Sequence, residues 1–88
     1  MKTLINLLGA YYHQDVWEDH NDHEEVWNEF IFDNKKILEQ LKSELNSLLK
    51  EPSININKFI QLHSSGLSFE KDEDARDFLN DLHNYISK

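Results

Sequence analysis

The 88-residue chain contains no cysteine, one proline and two glycines. The absence of cysteine excludes a disulfide, a thiolate zinc site and a cysteine nucleophile. The scarcity of glycine and proline argues against a sheet-rich fold, because the many turns of such a fold draw on both residues. A chain of this length is expected to form one domain, residues 1–88, with one core and little room for a deep cavity.

Long apolar runs are also missing. No stretch approaches the roughly 20 apolar residues that a membrane-spanning helix needs. The apolar stretch from Thr3 to Leu8 is short, is broken by Asn6 and is not followed by a small-residue cleavage pattern, so it is not interpreted as a signal peptide. These absences predict a soluble, cytoplasmic protein without a membrane partner.

Positive charge is scarce, since 9 Lys and Arg stand against 17 Asp and Glu, and the formal net charge is −8. Nucleic-acid binding requires a basic surface against the phosphates, so the composition argues against it and favours a positively charged partner. The acids lie in two tracts. The first acidic tract, Asp15 to Glu29, has seven acids and no Lys or Arg, and the second, Glu70 to Asp81, has six acids and two bases.

Apolar residues recur at helical spacing along most of the chain, which predicts an all-α fold, a compact bundle of four to five amphipathic helices. The first helix is expected from about Leu4 to Tyr12, with Thr3 as a possible cap. The second is expected to begin after Asp22, an N-cap three residues before Glu25. Its buried face is predicted to be Val26, Trp27, Phe30 and Ile31.

The third helix, from about Asn34 to Lys50, has the most regular apolar stripe, and the sequence leaves open whether it continues from the second. The following segment 53–57 alternates like a strand, but no second strand is available to pair with it, so that interpretation is rejected. A short helix is expected instead from Ile56 to His63, ended by Gly66 in the left-handed conformation.

The last helix is predicted from Ala75 to Ile86, with Asp72 or Asp74 as its cap. Its first turn is acidic, which suits the positive end of the helix dipole. Together with the preceding elements it completes the bundle, and no internal repeat or linker is evident in the sequence.

Metal binding is an alternative raised by the histidines of this region. His13, Asp15, His20 and His23 are suitable ligand types, but they fall in a predicted loop without a rigid frame. No HExxH pattern is present. Neither a metal nor a cofactor is therefore predicted, although a histidine-based metal-binding module stays open as an alternative.

Catalysis is not predicted, and no small-molecule substrate is expected. The sequence lacks a Gly-rich phosphate loop, a nucleophile elbow and a Ser/His/Asp arrangement. Carboxylate pairs abound, but a hydrolase needs two of them at a fixed separation in a cleft, and a small helical bundle offers few clefts.

Trp17 follows the break after the first helix and belongs to no apolar stripe. It either folds over the bundle as a lid or is displayed to a partner, and the lid is favoured because an exposed Trp is costly unless it is used. Just before it, His13 and Gln14 are expected to satisfy free carbonyls of the first helix, and Asp15 is expected to bond the loop backbone.

The segment Tyr11-Tyr12-His13-Gln14-Asp15, followed by Trp17, resembles a motif of the immunity proteins of contact-dependent growth inhibition systems. Those proteins commonly carry Trp directly after Asp, whereas Val16 intervenes here. The order of a first helix, an acidic segment, a Leu-rich helix and a final helix is similar as well. The resemblance implies a helical cytoplasmic protein that neutralises the C-terminal toxin domain, in many cases a nuclease, of a cognate toxin.

The motif residues are assigned a structural role, and toxin binding is assigned to the acidic surface. The predicted contact residues are Asp15, Glu18, Asp19, Asp22, Glu24, Glu25, Glu29, Asp72, Glu73 and Asp77. Clustered acids repel one another, so their cost in stability is best explained by a cationic partner. The alternatives are a solvated acidic face without a partner and a small helical adaptor that binds no toxin.

Overall fold

The fold is all-α, as predicted. A computed structural model describes residues 1–87, and no strand occurs among them, so the rejection of a strand at 53–57 is confirmed. The six α-helices are α1 (Lys2–Asn6), α2 (Val16–Asp19), α3 (His23–Asp33), α4 (Leu38–Leu49), α5 (Ile56–His63) and α6 (Asp72–Ile86). The helix that the sequence did not predict is α2, a single turn in a segment expected to be a loop.

One hydrophobic core is shared by all six helices. Helix α6 packs against α4 and α5, and α1 packs against α4. The apolar stripes point inward, which is the arrangement that helical spacing of apolar residues favours. The buried apolar residues are Leu4, Leu7, Leu8, Tyr12, Val16, Val26, Trp27, Phe30, Leu41, Leu45, Leu48, Ile56, Ile60, Leu67, Ala75, Phe78, Leu79, Leu82 and Ile86.

Two helices carry irregular turns at their ends. A π-helical turn, Leu7–Tyr11, extends α1 to the point where the sequence predicted its end, and a 3₁₀ turn, Lys35–Ile37, precedes α4. Asn34 separates α3 from that turn, because its backbone leaves the helical region at φ −134° and ψ 39°. Its side-chain amide donates to the Phe30 carbonyl over 2.9 Å. The second and third predicted helices are therefore separate.

The predicted cap of α3 is confirmed and that of α6 is wrong. The Asp22 carboxylate accepts a hydrogen bond from the Glu25 amide over 3.0 Å. Helix α6 begins at Asp72 without a side-chain cap. The Asp72 carboxylate instead accepts from Arg76 Nε at 2.9 Å and from the Asn57 amide at 3.1 Å, and the Arg76 hydrogen bond is the main reason that its pKa is lowered. Asp72 thus ties α6 to α5.

The N-terminus of α1 is capped from another helix, so the prediction of Thr3 as its cap is wrong. Glu44 of α4, only 5% exposed, accepts from the Thr3 amide at 3.2 Å and from the Leu4 amide at 2.9 Å. Gln40 Nε2 donates to the same carboxylate over 3.0 Å. Burial opposes ionisation of Glu44, but these hydrogen bonds outweigh it and lower the pKa of the carboxyl group.

Gly66 does not adopt the predicted left-handed conformation, because no glycine in residues 1–87 has a positive φ. Its small size is needed for a close approach of two chain segments. A Cβ atom at this position would lie 2.1 Å from the His13 carbonyl oxygen and 2.8 Å from Val16 Cγ1. The Gly66 amide donates to the Tyr12 carbonyl over 2.9 Å. Glycine here permits the loop after α5 to cross the segment between α1 and α2.

None of the helices in the described part of the chain is both long enough and apolar enough to pass through a lipid bilayer.

Candidate functional site

The segment that links α1 to α2 is held firmly against the loop after α5. The Tyr12 carbonyl accepts from Ser64 Oγ at 2.7 Å and from the Gly66 amide at 2.9 Å. Trp17 Nε1 donates to the Gly66 carbonyl over 3.1 Å. Tyr12 and Val16 are both 0% exposed. The side chains that follow Tyr12 therefore project from a fixed backbone.

Within this segment, the predicted roles of His13 and Asp15 differ from what is found. His13 Nδ1 accepts a hydrogen bond from the Asp15 amide over 3.1 Å, so its side chain serves the loop rather than a carbonyl of α1. Among residues 1–87 the Asp15 carboxylate makes no hydrogen bond, and it is exposed together with Gln14. The structural role of the motif is carried mainly by Tyr12.

The Trp17 side chain is held in place by contacts and is still partly exposed to solvent. Its ring meets Tyr12 edge-on at 6.1 Å and His23 at 5.2 Å between centroids, yet the side chain is 45% exposed. Val16, the residue directly after Asp15, takes the buried position instead. The lid interpretation therefore describes only part of the indole, and the rest faces solvent.

His23 lies in an aromatic cluster beneath Trp17. It stacks on Trp27 with centroids 5.7 Å apart and contacts Phe78 of α6 at 4.9 Å. Burial lowers the pKa of His23, while the negative charges of Asp22 and Asp81 act in the opposite direction. Burial outweighs the two negative charges, so the imidazole is mainly neutral at pH 7.

The two acidic tracts meet at His23. Asp22 precedes it on α3, and Asp81 of α6 acts on it electrostatically. Further along, the Tyr85 hydroxyl of α6 donates to the Asn28 side chain of α3. Glu24 lies one helical turn before Asn28 and Asp81 lies one turn before Tyr85, so helical spacing places these two acids on adjoining edges of the helices.

Asp81 was not among the predicted contact residues. The sequence holds one indication of where Asp81 lies. Asp74, Asp81 and Tyr85 recur at helical spacing, so they lie on one edge of α6 beside the buried Phe78. Only the packing of Tyr85 against α3, with its ring 5.3 Å from that of Trp27, shows that this edge adjoins the first acidic tract.

The ten predicted contact residues divide into two groups. Six are exposed, and their carboxylates have no hydrogen-bond or ion-pair partner within residues 1–87: Asp15, Glu18, Asp19, Glu24, Glu73 and Asp77. The other four also stabilise the fold. Asp22 caps α3, Glu25 accepts from the Asn21 side chain, Glu29 bonds His20, and Asp72 pairs with Arg76.

A polar groove of about 540 Å³ lies on the other side of α6. Lys42 and Lys50 of α4 line it together with His83. His83 and Asp81 are two positions apart on a helix, so their side chains point to nearly opposite sides of α6. The groove is therefore separate from the acidic surface, and its lining carries both signs of charge, because Glu39 lies there and pairs with Lys42.

The three histidines that suggested a metal site are engaged separately. His13 bonds the Asp15 amide, His20 bonds Val16 and Glu29, and His23 bonds the Tyr12 hydroxyl. The Glu29 hydrogen bond is the main reason that the pKa of His20 is raised. Over residues 1–87, no three His, Cys, Asp or Glu residues are placed to hold a metal ion together.

A fixed, partly exposed aromatic side chain among acids that make no internal hydrogen bond or ion pair is a surface that suits a positively charged protein partner. The family model described as CdiI immunity protein matches residues 1–86, and the chain belongs to this family. The family that the sequence resemblance implied is thereby confirmed. Comparison with curated proteins and with solved structures found no match.

Proposed function

We propose that this immunity protein neutralises its cognate toxin by stoichiometric binding through an acidic face. Family membership supports an immunity role toward the toxin of a contact-dependent growth inhibition system. We define the acidic face by the acids around the junction of α2, α3 and α6: Asp15, Glu18, Asp19, Asp22, Glu24, Asp77 and Asp81. The other predicted contacts, Glu25, Glu29, Asp72 and Glu73, belong to the wider acidic surface.

The observation that carries this proposal is the convergence of the two tracts at His23. Acids from separate parts of the chain lie on adjoining helix edges, and the first tract contains no Lys or Arg to neutralise them. Such a concentration of negative charge destabilises the isolated protein and is offset when a basic surface covers it. It also accelerates the encounter with a basic partner, by up to about 10²- to 10³-fold at low salt.

A nuclease is the toxin class that fits this face best. An enzyme that acts on nucleic acid needs a basic surface to bind phosphates, and an acidic protein seated on that surface blocks the substrate without any chemistry of its own. We place this inhibition in the cytoplasm, where the nucleic acid of the target cell lies. The immunity protein then acts as a binding inhibitor and needs no cofactor.

The test is a charge reversal with a matched control. Glu18→Lys with Asp19→Lys reverses two acids of the face that have no internal partner. The control variant, Glu39→Lys with Glu51→Lys, changes the net charge by the same amount, at one position on α4 and at one position just after it. Stopped-flow association with the cognate toxin domain should slow at least about 10-fold for the first variant and far less for the second, with the difference fading at high salt.

Equal slowing of the two variants would mean that net charge alone matters, and the acidic face would then lose its assignment. Unchanged association in both would remove the electrostatic mechanism altogether. Circular dichroism of each variant checks that the helices are intact.

A further inference from the structure

We propose that Trp17 is the anchor of the toxin interface and that it receives an arginine side chain of the toxin. This inference rests on the proposed function and adds to it the chemistry of the central contact. The sequence assigned Trp17 a structural role, but 45% of the side chain stays exposed in the folded protein.

Trp17 is immobilised before any partner arrives. Its Nε1 donates to the Gly66 carbonyl at 3.1 Å, and its ring makes T-shaped contacts with the rings of Tyr12 and His23. The preceding residue, Val16, is fully buried and fixes the short helix α2. A side chain whose rotamer is already set loses little conformational entropy when a partner covers it, and this is a property of residues that dominate binding energy.

The surroundings of the exposed indole select a cation. Glu18 and Asp19 follow Trp17 on α2; their side chains point away from the indole, so they add negative potential around it rather than a direct contact, and neither carboxylate makes a hydrogen bond or ion pair among residues 1–87. His23, in contact with the ring, lies within the electrostatic influence of Asp22 and Asp81. A cation above the indole therefore gains attraction from the π-system and from acids of both tracts.

Arginine fits this position better than lysine. Its planar guanidinium stacks on an aromatic face and donates to a neighbouring carboxylate at the same time, and it loses its water shell more readily than an ammonium group. An arginine stacked on Trp17 would lie beside His23, where the negative charges of Asp22 and Asp81 act, and would use both properties.

Phe32 is an exposed aromatic residue for which the chain itself supplies a cation. It is 75% exposed on α3, and Lys35 Nζ lies 5.5 Å from the centre of its ring. Trp17 sits in a tract without Lys or Arg, and no such cation covers it among residues 1–87. Phe32 is therefore the matched control for Trp17.

The first experiment compares the affinities of three variants for the cognate toxin domain by surface plasmon resonance. Trp17→Ala should weaken binding at least about 30-fold, chiefly through faster dissociation, as expected for a residue at the centre of an interface. Trp17→Phe keeps a ring on which a guanidinium stacks and should fall between Trp17→Ala and the wild type. Phe32→Ala should stay within about twofold of the wild type, as a contact outside the interface does.

Thermal unfolding separates a binding defect from a folding defect. If Trp17→Ala unfolds, Trp17→Phe decides the matter, because it fills most of the same space. Wild-type affinity in a folded Trp17→Ala protein, or in Trp17→Phe when the alanine variant is unfolded, would overturn the anchor. The charge-reversal result would stand independently, whereas failure of the wild type to bind the toxin domain would reject the proposed function itself.

The second experiment tests the arginine. Treatment of the toxin domain with phenylglyoxal blocks its arginines, and reductive methylation modifies its lysines but keeps their charge. Wild type and Trp17→Ala should bind the phenylglyoxal-treated domain with the same affinity, while their difference should survive lysine methylation. A difference that survives arginine modification would overturn the assignment of arginine.

Discussion

The Tyr12 hydroxyl and the His23 imidazole share a hydrogen bond of 2.8 Å between Oη and Nδ1, which joins the end of the α1 extension to the start of α3. Burial raises the pKa of Tyr12, so the phenol keeps its proton. The hydroxyl donates to Nδ1 or accepts from it according to which ring nitrogen of His23 carries the proton. This pair links the motif segment to the helix where the two acidic tracts meet.

Tyr12→Phe should lower the free energy of unfolding by about 1–2 kcal/mol, because it leaves Nδ1 of His23 without its hydrogen-bond partner in a partly buried site. Urea unfolding measures this loss. The control is Tyr11→Phe, which removes a more exposed bond to Asp33 and should cost less. Equal losses from the two variants would contradict a special role for Tyr12.

The two histidines of the acidic region should titrate on opposite sides of the ordinary histidine pKa of 6.5. The pKa of His23 is lowered by burial, so its contribution to stability is lost as the pH falls through 6.5 toward its folded pKa. The pKa of His20 is raised by Glu29, so its contribution is full below 6.5 and lost as the pH rises through its folded pKa.

Histidine ring resonances followed by NMR between pH 4 and 9 measure this order directly. Glu29→Gln should return the titration of His20 toward 6.5 and leave that of His23 in place. If His23 titrated above His20, burial would not be the dominant influence on its ring.

Loss of the Glu44 carboxylate should destabilise the protein strongly. Glu44→Ala leaves the Thr3 and Leu4 amides unsatisfied and should cost about 2–3 kcal/mol, whereas Glu44→Gln keeps an acceptor oxygen and should cost less. Glu39→Ala is the control: Glu39 forms an exposed pair with Lys42 at 3.1 Å, and such pairs contribute about 0–1 kcal/mol. Urea unfolding at pH 7 gives the three values.

The pH dependence offers an independent check on Glu44. Its folded pKa lies below the ordinary 4.5, so its contribution is present above pH 4.5 and is lost as the pH falls through the folded pKa. The cost of Glu44→Gln should therefore shrink in acid. A cost that does not change with pH would show that the charge of Glu44 adds nothing.

The two glycines should respond in opposite ways to alanine. Gly66→Ala places a Cβ 2.1 Å from a backbone oxygen, which forces the segment 12–17 to move and should cost about 2–3 kcal/mol. At Gly9, a Cβ would meet the His63 carbonyl at 3.5 Å, an ordinary contact, so helix propensity should dominate and Gly9→Ala should stabilise by about 0.5–1 kcal/mol. Thermal unfolding of both variants tests the contrast, and a tolerated Gly66→Ala would refute the close approach.

Helix positions were predictable where a local pattern determines them. The stripes of α4 and α6 and the Asp22 cap depend on residues within a few positions of one another, so the sequence alone indicates them. Glu44 was not singled out from the sequence, although its spacing is suggestive. It lies between Leu41 and Leu48 at helical spacing, and a carboxylate at such a position needs donors that must come from elsewhere.

Contacts between distant segments were not predictable in the same way. Nothing near Glu44 identifies Thr3 and Leu4 as its donors, and nothing near Gly66 shows that His13 would lie against it. The expected left-handed cap was wrong for this reason, since a glycine after a helix suits two roles and only the packing selects one. The acidic tracts were visible, but their meeting at His23 depends on how α3 packs against α6.

The bonds of Tyr12 and Trp17 to Ser64 and Gly66 determine how long the growing chain must be before the Trp17 side chain can take its fixed position. The segment that carries Trp17 is made early, but it has no fixed position until the chain has been extended past residue 66. Loop closure over about 50 residues must therefore precede the ordered display of the indole. A nascent chain shorter than this lacks the fixed indole on which the proposed toxin interface depends.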